Sequence, residues 1–191
     1  MTSSQLIAQK IIRLFNAQGA AEYAGERVSQ LEHMVQAASL AKAEGYDDEV
    51  VLAAFLHDIG HLLHPEGNAG MDGYGTMDHE KVGAEYLLSL GFGKRMCRLI
   101  ASHVDAKRYL TYADPAYYDQ LSEASKRTLE FQGGRMGPEE ANVFESDPYF
   151  DLYICMRKWD EAAKVENLPM PDWLEYETMI ENYLDKRNGA Y

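Results

Sequence analysis

Residues 49–63 read EVVLAAFLHDIGHLL, a run that is apolar on nearly every side yet carries His57, Asp58 and His61 within it. A helix that is apolar all round is a buried one. The stretch therefore predicts the central helix of a core, capped by Asp47 or Asp48. Burying an ionised carboxylate among leucines is costly unless a cation compensates it. A polar cluster in the most apolar part of the chain is the first feature to explain.

On the N-terminal side, Thr2 and Gln5 form a capping box. Leu6, Ile7, Ile11, Leu14 and Phe15 then repeat at helical spacing as far as Gly19. A second helix is predicted over 27–43, with Val28, Leu31, Val35, Ala38 and Leu40 inward and Gly45 as its stop. On the C-terminal side, HPEGNAGMDGYGTMD (64–78) reads as a loop. Thr76 or Asp78 can cap the following helix, HEKVGAEYLLSL, which Gly91 closes. A fifth helix is expected through KRMCRLIASHV (94–104). Asp114-Pro115 starts a short helix, and Ser122 caps EASKRTLEF ahead of Gly133-Gly134. Asp147-Pro148 opens YFDLYICMRKWDEAAKVE, and Pro171-Asp172 opens WLEYETMIENYLDKR. No segment alternates like a strand, and there is no internal repeat or linker. The expectation is an all-α fold, one domain over 1–191, of a size to bury one core.

The net charge of −13 argues against non-specific binding to nucleic acid or anionic membrane. It leaves room for a small anionic substrate if cations or metal ions invert the local potential. Cys97 and Cys155 make no CxxC pair and suit a reducing compartment. The N-terminus lacks signal-peptide features, and no apolar run approaches the ~20 residues of a membrane span. These readings point to a cytoplasmic protein with no membrane and no nucleic-acid partner.

The six histidines are 33, 57, 61, 64, 79 and 103. A lone helical histidine is usually a satisfied core or surface residue, but four of these fall on four separate predicted helices. His33 lies on the second, His57 with Asp58 on the buried third, His79 at the start of the fourth and His103 near the end of the fifth. Mixed imidazole and carboxylate donors suit iron, manganese and other borderline divalent ions, and no cysteine is placed as for structural zinc.

The order H…HD…H…H…D resembles the HD-domain family, here carried by His33, His57-Asp58 and Asp160, with His79 and His103 as in the subset that holds two metals. By that resemblance one site takes His33, His57 and Asp160, the second takes His79 and His103, and Asp58 bridges. Most HD proteins are phosphohydrolases. A smaller branch uses a mixed-valent Fe(II)/Fe(III) pair and O2 to cleave C–C or C–P bonds. The segments YAGERVSQLEH, LAAFLHDIGH, GYGTMDHEKVGAEYL, SHVDAKRYL, LSEASKRTLEFQGG and RKWDEAAK resemble the phosphonate-cleaving dioxygenases of that branch. The resemblance implies O2-dependent removal of hydrogen from C1 of a 1-hydroxy-2-(amino or trimethylammonio)ethylphosphonate. Cleavage then yields phosphate and glycine or glycine betaine. It also implies that Tyr23 and Glu26 form a pair occupying the site until substrate arrives.

The spacing gives these positions physical sense. His61 is one turn after His57, Lys107 one turn after His103, Arg157 three before Asp160, and Ser125 and Thr128 share a face. Together they supply donors for a tetrahedral oxyanion. Aromatics including Tyr23 and Tyr74 are candidates to hold a quaternary ammonium, with Asp72 and Asp78 adding negative charge. The competing readings are a metal-dependent phosphomonoesterase or nucleotidase, and a non-catalytic module that has kept the fold.

Overall fold

The computed structural model describes residues 1–23, 25–63, 71 and 76–189. The stretch 64–70, Asp72, Tyr74 and their loop neighbours lie outside the described residues. Among the described residues there are twelve helices and no strand, and an isolated bridge pairs Glu22 with Ser29. The fold is all-α, as expected.

The helices are α1 (Ser3–Gln18), α2 (Gln30–Ala43), α3 (Asp48–Leu56), α4 (Ile59–Leu63), α5 (His79–Ser89) and α6 (Lys94–Ala101). They continue as α7 (His103–Ala113), α8 (Pro115–Gln120), α9 (Glu123–Phe131), α10 (Pro138–Glu145), α11 (Phe150–Ala162) and α12 (Glu175–Asn188). Every residue of α3 from Val50 to Leu56 is buried, and α2, α6, α11 and α12 pack around it. Phe55 stacks on Phe15 of α1 at 4.7 Å and on Tyr176 of α12 at 4.2 Å, tying both chain ends to the centre. Truncating so buried a ring costs roughly 3–5 kcal/mol. The capping boxes at Thr2 and Ser29 and the caps at Asp47, Asp114 and Ser122 all form.

The structure departs from the predicted helices at the positions that build the site. The run 49–63 is not one helix: it ends at Leu56, turns through His57-Asp58 and resumes as α4. Gly60 explains the turn, because a Cβ there would lie 2.0 Å from the carbonyl oxygen of His79. Only glycine lets the backbone of α4 come down onto the start of α5. A Cβ on Gly83, facing it, would stand 3.1 Å from Gly60 N. His61 therefore belongs to a separate helix from His57, not to the next turn of the same one.

The predicted fifth helix is likewise divided at Ser102, and His103 opens α7 instead of closing α6. At the start of α5, neither Thr76 nor Asp78 caps through its side chain. Asp78 is left-handed (φ 55) and its carboxylate holds Lys81 at 2.8 Å. The predicted stretch 149–166 is helical only from Phe150 to Ala162. Helix α10 had no counterpart among the expectations. It has Pro138 at its start and two glutamates in its first turn, but buries only Ala141, so it carries no apolar stripe to read.

Candidate metal centre and substrate pocket

Helix ends position the histidines. The last carbonyls of a helix lack intrahelical partners, and three of them here accept from imidazole. His57 Nδ1 donates to Ala54 O at the end of α3 (2.8 Å), and His103 Nδ1 to Ile100 O at the end of α6 (2.7 Å). His33 Nδ1 donates to Ala163 O (2.9 Å), freed where α11 stops. The fourth, His79 Nδ1, reaches Thr76 O at 3.1 Å, just before α5. A carbonyl oxygen can only accept, so each Nδ1 carries the proton and each Nε2 presents a lone pair.

All four lone pairs converge in two couples. His33 Nε2 and His57 Nε2 stand 3.1 Å apart, and His79 Nε2 and His103 Nε2 stand 3.0 Å apart. Asp58 lies between the couples. Its Oδ2 is 3.5 Å from both His33 and His57, and its Oδ1 is 3.2 Å from His79 and 3.4 Å from His103. Asp160 joins the first couple, with Oδ1 3.3 Å from His33 Nε2 and 4.0 Å from His57 Nε2.

Both oxygens of Asp58 and Oδ1 of Asp160 are buried without a hydrogen-bond partner. The neutral imidazoles do not supply one, because in this tautomer their Nε2 atoms too are acceptors. Seven lone-pair donors facing one another inside a protein call for cations. The imidazole–carboxylate set has the chemistry of a divalent metal site, and the carbonyl bonds at Nδ1 are the orienting contacts such ligands use. All six residues singled out in the sequence as metal ligands are thus brought together.

The electrostatics agree. Burial alone would raise the pKa of Asp58, but His57, and then His103, His33 and His79, hold it well below the usual carboxylate range. Burial likewise opposes ionisation of Asp160, and Arg157 is the main group that overcomes it. Burial disfavours charge on His33, yet Asp160 and Asp58 outweigh it and raise its pKa to about 9, so that a proton on Nε2 would supply the positive charge the carboxylates demand wherever no metal does. His57, driven first by burial, falls to about 4.

A pocket opens beside the His79/His103 couple, lined also by Tyr23, Glu26, His61, Lys107 and Arg157. Ser125 and Thr128 complete the donor wall. His61, Lys107, Ser125, Thr128, Arg157, Tyr23 and Glu26, singled out in the sequence, all border this one space, while Tyr74 lies outside the described residues. His61 differs from the four converging histidines. Its Nδ1 accepts from Thr76 N (3.1 Å), which leaves Nε2–H as a donor. Burial first, then His79, lowers its pKa to about 3, so it is a neutral donor. Its ring stacks on His79 at 4.0 Å.

Lys107 is 3% exposed, and its Nζ donates to Thr128 Oγ1 at 2.8 Å. Burial, then Arg157, pushes its pKa down to about 7. Tyr23 lies flat on His33, ring centroids 4.0 Å apart and planes 13° from parallel, covering the first couple. Arg157 is clamped. Its Nε donates to Tyr117 Oη (2.8 Å), and its two terminal nitrogens bind Asp160 Oδ2 and Glu161 Oε2.

Sequence reasoning missed several contributors. Tyr117 anchors Arg157 from α8. Lys164 bonds to Glu26, Glu161 and Ser125. Met71 and Gln132 line the pocket. Only Lys164 carried a signal, as the lysine that ends RKWDEAAK beside Asp160.

Comparison with known proteins identifies the family. A model of the HD-domain family matches residues 30–133, a span that holds five of the six converging residues and stops short of Asp160. An uncharacterized protein of Acanthamoeba polyphaga mimivirus is 40% identical over 92% of this chain and 81% of its own. The glycine-betaine-forming 1-hydroxy-2-(trimethylamino)ethylphosphonate dioxygenase of Leisingera caerulea is 39% identical over 96% of this chain and 93% of its own. The hydroxymethylphosphonate dioxygenase of Gimesia maris is 44% identical over 84% of this chain and 80% of its own.

Proposed function

The chain belongs to the HD-domain family, and from that premise we propose that it is an O2-dependent oxygenase that cleaves the C–P bond of a small 1-hydroxyalkylphosphonate. The observation that carries this reading is the pairing of a bridging, hydrogen-bond-free Asp58 with a pocket walled by Lys107, Thr128 and Ser125. Two named relatives, similar over most of their length, are dioxygenases of such phosphonates.

In this proposal two iron ions occupy the centre. His33, His57 and Asp160 would hold one and His79 and His103 the other, with Asp58 available to both. When bound as a mixed-valent Fe(II)/Fe(III) pair, the irons supply the redox chemistry with O2. The protein's part is positional and electrostatic. Lys107, Thr128, Ser125 and the neutral Nε2–H of His61 bind the phosphonate oxygens beside His79 and His103, and Arg157 adds positive charge from behind Asp160. Tyr23 and Glu26 fill the mouth until substrate displaces them. Closing the pocket orients the C1 hydrogen and keeps water out.

The balance is simple. One RCH(OH)PO3H2 and one O2 give one RCOOH and one H3PO4; the C–P bond and one C–H bond break, and oxygen is added to both carbon and phosphorus. With an aminomethyl or trimethylammoniomethyl substituent the acid is glycine or glycine betaine; with hydrogen it is formic acid. Residues 1–191 act as one HD domain, and the acidic chain with unpaired Cys97 and Cys155 suits the cytoplasm. Among the described residues no helix is long and apolar enough to cross a membrane.

The test is phosphate release from 1-hydroxyalkylphosphonates with and without O2, alongside a phosphomonoester. O2-dependent release from the phosphonates supports the reading. O2-independent release from the ester would make the protein a hydrolase on the same centre.

A further inference from the structure

The two histidine couples differ in the carboxylates that face them. The Nε2 atoms of His33 and His57 face Asp58 and Asp160, whereas those of His79 and His103 face Asp58 alone. A further buried carboxylate stands behind the second couple. Glu80, in the first turn of α5, is 4% exposed, and its Oε2 is buried with no hydrogen-bond partner among the described residues. That oxygen lies 3.8 Å from His79 Nδ1, the ring nitrogen that does not face Asp58. The Nδ1 proton goes to Thr76 O at 3.1 Å, so the approach of Glu80 is electrostatic and not a hydrogen bond. Among the described residues Glu80 pairs with Lys81, 3.8 Å from its Oε1, but Lys81 is exposed and holds Asp78 more closely, at 2.8 Å.

Helix formation does not account for this placement. An acidic residue in a first turn favours the helix dipole from the surface as well as from the interior. Burying an unpartnered carboxylate, by contrast, destabilises the fold. A cation held through the His79 ring offsets that cost, because charges attract strongly where water is excluded.

We propose that Glu80 is a positioning residue for the metal of the His79/His103 couple, supplying negative charge through the His79 ring while leaving the coordination positions on the pocket side free. Asp160 serves the other couple as a ligand; Glu80 serves this one from behind a ligand. A carboxylate on the far side of a metal-bound imidazole orients the ring and makes it a stronger donor. The inference rests on the two-metal reading of the centre and is independent of which phosphonate is cleaved.

The experiment titrates metal-free protein anaerobically with ferrous iron against a competing chelator. Wild type should bind two irons. Glu80→Gln, of the same size but uncharged, should weaken one of them by about tenfold or more and leave the other unchanged. Glu80→Asp, which keeps the charge, should lose less. In a His79→Ala background, where only the His33/His57 site is left, adding Glu80→Gln should change nothing. The metal-free Glu80→Gln protein should melt no lower than wild type, because a buried unpartnered charge has been removed. Two irons held as tightly as in wild type overturn the inference, as does equal weakening of both. A metal-free Glu80→Gln protein that melts well below wild type also overturns it, since Glu80 would then serve the fold. If wild type binds fewer than two irons, the two-metal reading itself fails and this inference falls with it.

Discussion

The two halves of the six-residue centre are built differently. On one side His33 and His57 are sealed, at 0% and 1% exposure, beneath the ring of Tyr23. They share that side with Asp160, which Arg157 clamps and Tyr117 steadies in turn. On the other side the Nε2 atoms of His79 and His103 share only Asp58, and both rings line the pocket, with Lys107 and His61 close by. The sealed half has the extra negative charge and the rigid backing that suit permanent retention of a cation. The open half leaves coordination space where an anionic substrate can bind. Asp58 lies between them, with one oxygen toward each couple.

The largest expected effect comes from breaking both halves together. Asp58→Ala should abolish metal retention and turnover while circular dichroism still reports a helical protein. His33→Ala and His79→Ala should each remove one metal and all turnover, and metal analysis separates them from Asp58→Ala. A His79→Ala enzyme that kept two metals would break the assignment of the halves.

Next in size is Lys107→Ala. Removing a buried charged donor should lower kcat/KM roughly 10- to 100-fold, mainly through KM, with metal content unchanged. A pH profile sharpens the same point. Burial holds the Lys107 pKa at about 7, and only the protonated amine attracts a phosphonate. Wild-type kcat/KM should therefore fall as pH rises through about 7. Lys107→Arg, which stays charged, should lose that limb.

The smallest effect is expected for Tyr117→Phe, which loosens Arg157 and thereby Asp160. It should weaken metal retention by about tenfold or less in the sealed half, with little change in KM. A change in KM alone would place Tyr117 on the substrate side instead.

The apolar run around His57-Asp58 was enough to reveal a buried polar centre, and the helical spacing placed nearly every other element. Periodicity did not show where the run turns. That is decided by the close approach of Gly60 to His79, a contact between segments about twenty residues apart. The same limit hid the break before His103, because a serine between two helical runs looks like one helix until tertiary packing divides it. The ligand candidates were legible because residue type and order carry their chemistry. Tyr117 was not, since a tyrosine on a six-residue helix acquires meaning only through its partner, and Lys164 showed only as the end of RKWDEAAK. Helix α10 lacked the apolar stripe by which the other helices were read.

The central claim is that this chain holds two metal ions linked through Asp58. It is tested most directly by anaerobic purification, titration with ferrous iron, and paramagnetic resonance after partial oxidation. The account predicts two irons per chain and a spin-coupled Fe(II)/Fe(III) signal that Asp58→Ala abolishes. A single iron per chain, or two that remain magnetically independent, would contradict it.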